Sequence, residues 1–138
     1  MTIKKSIYLR ATKKDVWSYL TDPDKLAIWF HKPPQVLKAG EDFAMFGTES
    51  GKKLIWGEVL TADPHDLLVY TFTVEPMGDA VSTVTWTLDD VPGGTRLSLL
   101  HEGLPQGAAA FDLTLALDKG WDDHIGRMRT DLHEKVPA

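Results

Sequence analysis

Two histidines stand where this sequence could do chemistry on a small molecule, His101 and His124. In TRLSLLHE, Thr95 to Glu102, the residues Leu97, Leu99 and His101 share one parity of a strand, and Ser98, Leu100 and Glu102 share the other. The charge on Glu102 assigns its own side to solvent, so the apolar side ends in an imidazole. His124 follows Trp121 and precedes Met128 at helical spacing, on the edge of an apolar stripe, so both rings are expected to approach one interior space. A neutral imidazole donates and accepts, and an ordinary pKa of about 6.5 suits it to acid or base work near neutrality. The commoner use of a histidine on a core face is to satisfy a carbonyl, a tyrosine or a water, and that alternative stays open.

Glu58 is the carboxylate whose placement matters most. It shares a parity with Leu54, Trp56 and Leu60, against Ile55, Gly57 and Val59. An unpaired buried carboxylate is costly, so Ile55 and Val59 are expected inward; the opposite choice would make Glu58 a buried acid.

Other chemistries find less support. The 138 residues contain no cysteine, which removes disulfides, thiolate catalysis and cysteine metal sites. Neither His101 nor His124 belongs to an H-x-x-x-H or H-E-x-x-H pair, and His31, His65 and His133 fall at turn or terminal positions, so no metal is expected. There is no G-x-S-x-G elbow, and Ser98 is on the outer face. Pro92-Gly93-Gly94 joins two strands and opens no helix, unlike a dinucleotide loop, and no cofactor is expected. The net charge of −5 repels phosphate backbones, so nucleic acid is not an expected partner. The basic cluster Lys4, Lys5, Arg10, Lys13 and Lys14 is read as the solvated side of a strand and a helix start. The first residues lack an apolar leader core, and no stretch nears the roughly 18 apolar residues of a spanning helix. The expectation is a cytoplasmic protein without membrane insertion.

The elements that must position the two histidines follow from periodicity. Ile3, Ile7 and Leu9 share a face of a strand over Thr2 to Arg10. Thr12 with Asp15 makes a capping box for a short helix to Leu20, and Thr21-Asp22-Pro23 opens a second to about Phe30. Period two then takes over, with turn residues separating Gln35 to Lys38, Phe43 to Thr48, Lys53 to Ala62, Leu67 to Val74, Val81 to Leu88 and Thr95 to Glu102. Leu104 to Ala110 reads as a loop. Leu113, Leu117, Trp121, Ile125, Met128 and Leu132 then line one stripe of a long helix, with Asp118, Asp122, Arg129 and Glu134 pointing elsewhere. Gly120 interrupts that helix at a cost of up to about 1 kcal/mol and suggests a kink or a close approach. One domain, residues 1–138, of α+β class is expected.

The quoted order of elements carries a resemblance. Ala11 followed by VWSYLTDPDKLAIW (Val16 to Trp29), GEVLTADPHDLLVYTF (Gly57 to Phe72), TVTWTLDDVPGGTRLSLLHEGL (Thr83 to Leu104) and the Gly120-Trp121 pair together resemble the START-like, birch-pollen-allergen-like (SRPBCC) superfamily. Within it the chain is most similar to the branch of heat-shock-protein-90 ATPase activator homologues. The resemblance implies a helix-grip fold: seven antiparallel strands curved around the terminal helix, two short helices between the first two strands, and a pocket between sheet and helix. It also implies an apolar or amphipathic small molecule as ligand, with cyclase-like enzymes among the relatives. The branch takes its name from co-chaperones that carry a second, larger domain; none is seen in this sequence, which counts against a chaperone partner.

A dry, empty cavity of roughly 300 Å³ would cost about 7 kcal/mol, comparable with the stability of a whole domain. Such a pocket must therefore be small, wet or filled. The expected walls are Trp29 and Phe30 at the lid, Phe43, Met45, Tyr70, Phe72, Trp86 and Leu99 on the sheet, and Trp121 and Met128 on the helix. His101, aided by Tyr70 and His124, is expected to supply the polar contact. The leading expectation is binding of an apolar or amphipathic molecule. A cyclase, dehydratase or hydrolase using His101 or His124, and a co-chaperone module, remain as alternatives, and homodimerisation through a sheet edge is left open.

Overall fold

The computed structural model describes residues 1–47 and 49–134. Strand β1 (Ile3–Leu9) leads into helices α1 (Lys13–Thr21) and α2 (Pro23–Trp29). Strands β2 (Asp42–Phe46), β3 (Lys53–Asp63), β4 (Leu67–Val74), β5 (Ser82–Val91) and β6 (Gly94–Glu102) follow, and the long helix α3 (Phe111–Glu134) ends the described chain. The strand end expected at Thr48 lies outside the described residues, as do residues 135–138.

The helix starts form as their side chains dictate. Thr12 Oγ1 accepts from the Asp15 backbone N–H at 3.1 Å, and Asp22 Oδ1 accepts from that of Asp24 at 2.9 Å, so each helix has one of its orphan donors satisfied. Pro23 fits the first turn of α2, where a missing N–H costs nothing.

The sheet is antiparallel in the order β1-β6-β5-β4-β3-β2, with six strands among the described residues, not the seven expected. Gln35 to Lys38 is the segment that joins no ladder. Pro33 and Pro34 precede it without N–H groups to offer. The Leu37 N–H then donates to the Thr21 carbonyl at the end of α1, 3.2 Å away, which ties this segment to the helices with Leu37 buried.

Strand parity follows the apolar pattern. Ile55 and Val59 face inward and Glu58 is exposed, as its charge demands. Register shifts at Met45/Phe46 and Val59/Thr61 mark bulges that bend β2 and β3. Gly57 is needed there, because a Cβ would lie 2.1 Å from the Thr71 carbonyl oxygen.

Helix α3 lays Trp121, Ile125, Met128 and Leu132 on the inner face of the sheet, all buried in one core cluster. Each such side chain contributes about 1.5–3 kcal/mol of burial. The helix is continuous through Gly120, where a Cβ would meet nothing within 4 Å. The close approach suggested by that glycine is absent.

Lys5 is a further correction. It shares the inward parity of Ile3, Ile7 and Leu9, and its Nζ reaches Asp118 at 2.7 Å and Asp122 at 2.9 Å on α3. The lysine read as solvated therefore clips the helix to the β1 edge, and both aspartates turn toward it.

Candidate functional site

His101 is fully buried and hydrogen-bonded on both ring nitrogens. The Trp121 indole Nε1–H donates to Nδ1 at 3.0 Å, so the ring proton resides on Nε2. That Nε2–H donates to Ser82 Oγ at 2.8 Å, and the Ser82 hydroxyl donates to the Phe72 carbonyl at 2.7 Å. Burial pushes the His101 pKa down to about 4, in keeping with a neutral ring. A buried serine beside a histidine resembles a nucleophile and its base, but the polarity is reversed. A base must accept the serine proton on Nε2, and here Nε2 is the donor.

Much of the expected pocket is filled by side chains. Trp29, Met45, Tyr70, Trp86, Leu99 and Met128 are buried together with Phe43 in the core. The rings interlock, with Trp29 against Trp86 at 5.9 Å, Trp86 against Trp121 at 5.5 Å and Phe43 against Tyr70 at 5.1 Å between centroids. Their polar atoms are paired as well. Trp29 Nε1–H donates to the Tyr19 carbonyl at 2.7 Å and Trp86 Nε1–H to the Tyr70 hydroxyl oxygen at 3.0 Å. Burial also pushes the Tyr70 hydroxyl pKa up, which keeps it protonated.

Open space begins one helical step toward the start of α3. There a groove of about 390 Å³ runs between the first half of α3 and the β3–β4 strands, within the usual range of ligand clefts, roughly 300–1,000 Å³. Phe30, Ile55, Phe72, Leu113, Leu117 and Trp121 form its apolar walls, and Gly120 leaves its helix side low. Lys52, Lys53 and Glu75 stand at the rim, where Lys52 and Glu75 pair at 3.7 Å. Of the expected wall residues, Phe30, Phe72, Trp121 and His124 line this groove, whereas the others, His101 included, are buried beside it, with Phe43 and Leu99 also bordering other depressions.

Other depressions are larger, among them one of about 430 Å³ on β1, β5 and β6 beside Lys4, Ser6, Thr85, Thr87, Ser98 and Leu100. One of about 540 Å³ lies between residues 33–37 and the β2–β3 pair, and one of about 610 Å³ lies along α3 among Asp122, Asp123, Arg127, Arg129 and Glu134. These last two carry several charged side chains, the one on β1, β5 and β6 is lined mostly by lysines and hydroxyls, and none of the three lies between α3 and the inner face of the sheet. The smaller groove runs between helix and sheet, with apolar walls and its charged side chains at the rim.

Inside the rim its polar groups are His31 and His124, whose rings are 5.3 Å apart and nearly perpendicular. His124 Nδ1 lies 3.0 Å from the Trp29 carbonyl and also touches the Arg127 guanidinium. Burial lowers the His124 pKa to about 4, the Trp29 carbonyl works against that shift, and Arg127 adds to it. His31 is lowered by burial first and by Arg127 second. Both rings are therefore neutral near pH 7.

Sequence reasoning placed His31 in a turn and missed it as a groove residue. The available signal was its position directly after Trp29-Phe30, since Phe30 stacks on Trp121 at 5.2 Å and carries its neighbour to the same opening. Among the described residues, no group of three or more histidines and carboxylates is arranged to hold a metal ion. No helix of the described residues is long and apolar enough to cross a membrane.

Comparisons with known proteins agree with this architecture. The chain is similar to protein MLL2253 from Mesorhizobium loti, with a TM-score of 0.87 and 23% identity over 99% of this chain and 100% of that one. It is also similar to DynU16, a protein of the dynemicin biosynthetic locus, with a TM-score of 0.84 and 23% identity over 99% of this chain but 48% of that one, so it spans about half of DynU16. The Aha1 dimer from Colwellia psychrerythraea matches with a TM-score of 0.79 and 15% identity over 96% of each chain. Comparison with curated proteins gives no match. The family model described as "Activator of Hsp90 ATPase homolog 1-like protein" matches residues 10–132, nearly the whole described fold, and the chain belongs to that family.

Proposed function

We propose that this protein binds an apolar or amphipathic small molecule in the groove between the first half of α3 and the β3–β4 strands. One observation carries the reading. The apolar stripe of α3 is buried from Trp121 to Leu132, yet its first members, Leu113 and Leu117, are only partly covered and overhang the groove. Apolar surface left open to water beside stacked aromatic rings gains free energy when a ligand covers it, about 25 cal/mol per Å².

The test is a titration of the isotopically labelled protein with small aromatic and aliphatic molecules, followed by backbone amide shifts. Saturable changes confined to residues around Phe30, Phe72 and Leu117, lost in Leu117→Glu at unchanged melting temperature, support the site. Changes scattered over the surface, or none, overturn it.

An enzymatic reading draws on the His31–His124 pair. Against it, a ring whose pKa lies near 4 is a weak base, poorly matched to proton abstraction at pH 7. Binding is favoured for that reason. A co-chaperone role draws only on the family's name, and would show as faster ATP hydrolysis by an Hsp90 on addition of this protein.

A further inference from the structure

We infer that the polar end of the groove's ligand is a hydrogen-bond donor, a hydroxyl of the phenol or alcohol class, received by the lone pair on Nε2 of His124. The inference rests on the groove reading above and adds to it the ligand's chemistry.

The argument starts at the end of α2. Trp29 is the last residue of that helix, and its carbonyl is among those left without an intrahelical partner. The residue is buried, 1% exposed, and the atom facing its carbonyl at 3.0 Å is Nδ1 of His124. A carbonyl only accepts, so that bond needs the proton on Nδ1. Arg127 touches the same nitrogen and only donates, so one nitrogen cannot serve both at once. Arg127 is exposed and can turn its N–H groups to water, whereas a buried carbonyl has no such alternative. The carbonyl therefore sets the tautomer.

With the proton on Nδ1, Nε2 carries a lone pair, and no described residue donates to it. The rings around that of His124 are Phe30 at 4.9 Å, His31 at 5.3 Å and Trp121 at 6.4 Å between centroids, and the Trp121 N–H is committed to His101. The charges near this ring are Arg127 and Asp123 on its own helix, and His31 faces it from the segment after α2. Burial and Arg127 together hold it neutral near pH 7, so the lone pair is retained. A carboxylate would bring its own lone pairs against that of Nε2. A hydroxyl brings the missing proton.

The experiment compares 4-butylphenol with 4-butylanisole, in which a methyl group replaces the hydroxyl proton and leaves the oxygen an acceptor only. The expected result is that both bind saturably and the phenol binds about threefold to tenfold more tightly, the worth of one net hydrogen bond. His124→Asn keeps a donor for the Trp29 carbonyl and lacks the Nε2 acceptor, so the ratio of the phenol and anisole affinities should fall to about one, whatever loss of the ring does to both. Nitrogen NMR of the His124 ring should show Nδ1 protonated, with Nε2 shifting on addition of the phenol alone. Equal affinity for the two probes, or a proton on Nε2 instead, overturns the inference and leaves the groove standing. Failure of both probes to bind saturably overturns the groove and the inference together.

Discussion

The Trp121 indole N–H donates to Nδ1 of His101 across 3.0 Å, joining the middle of α3 to β6. This bond, continued through Ser82 to the Phe72 carbonyl, makes the imidazole a strut between helix and sheet. His101→Phe should orphan a buried indole N–H, and the expected cost is about 2–4 kcal/mol in denaturant unfolding. Adding Ser82→Ala removes one member of the disrupted chain, so the double variant should lie at least about 1 kcal/mol from the sum of the singles. Strict additivity would show that the chain does not act as a unit.

Acid should weaken the fold in a defined window. His101 and His124 are both held at about 4 when folded, against an ordinary value of about 6.5 in the unfolded chain. Between those values the unfolded chain binds protons that the folded one does not, so stability is fully present above about 6.5 and falls as the pH drops toward 4. Below that the two states bind alike and the curve flattens. For His101 the loss is on the order of 3 kcal/mol. Urea unfolding at a series of pH values checks this, with His101→Gln expected to lower stability at pH 7 and to flatten the slope. A slope as steep as that of the parent would place the proton uptake elsewhere.

The Lys5 clip makes a prediction about salt. Lys5 is 17% exposed between Asp118 and Asp122, which are about half exposed, so the pairing is screened and worth about 1 kcal/mol or less. Removing the lysine leaves two like charges one helical turn apart on α3. Lys5→Ala should therefore destabilise more in dilute buffer than in 1 M salt, where the screening length is roughly 3 Å. An unchanged difference at high salt would assign the effect to lost packing of the lysine stem.

How far the sequence could be read divides along physical lines. Strand parity and the α3 stripe were legible because burial repeats with a fixed period, and Ile55, Trp86 and Met128 all face where that period puts them. The capping side chains of Thr12 and Asp22 were legible because their bonds are local. Gln35 to Lys38 was misread because alternation alone does not reveal whether a neighbouring strand is within reach, and Leu37 bonds to α1 instead. His101 was correctly placed on the inner face, yet its partners, Ser82 and Trp121, lie 19 and 20 residues away in sequence. Spacing carries no information about such a contact. The position of the groove depends on how far the aromatic rings fill the space over the sheet. That filling is decided by rotamers, which periodicity does not record.

Gly120 separates the needs of the helix from those of the groove. Glycine inside a helix costs up to about 1 kcal/mol relative to alanine, and here a Cβ meets nothing within 4 Å. Gly120→Ala should therefore raise stability by about 0.5–1 kcal/mol, read from the denaturant midpoint at constant slope. Because Gly120 lines the groove beside Leu117 and Trp121, a larger side chain should occupy the space a ligand needs. Gly120→Leu is expected to fold at least as stably as the parent, since leucine is a good helix former and its side chain covers apolar wall. Its affinity for 4-butylanisole should fall more than tenfold. A leucine variant that is stable and still binds like the parent would move the ligand out of this groove, whereas one that is destabilised would show that the space beside Gly120 closes in solution.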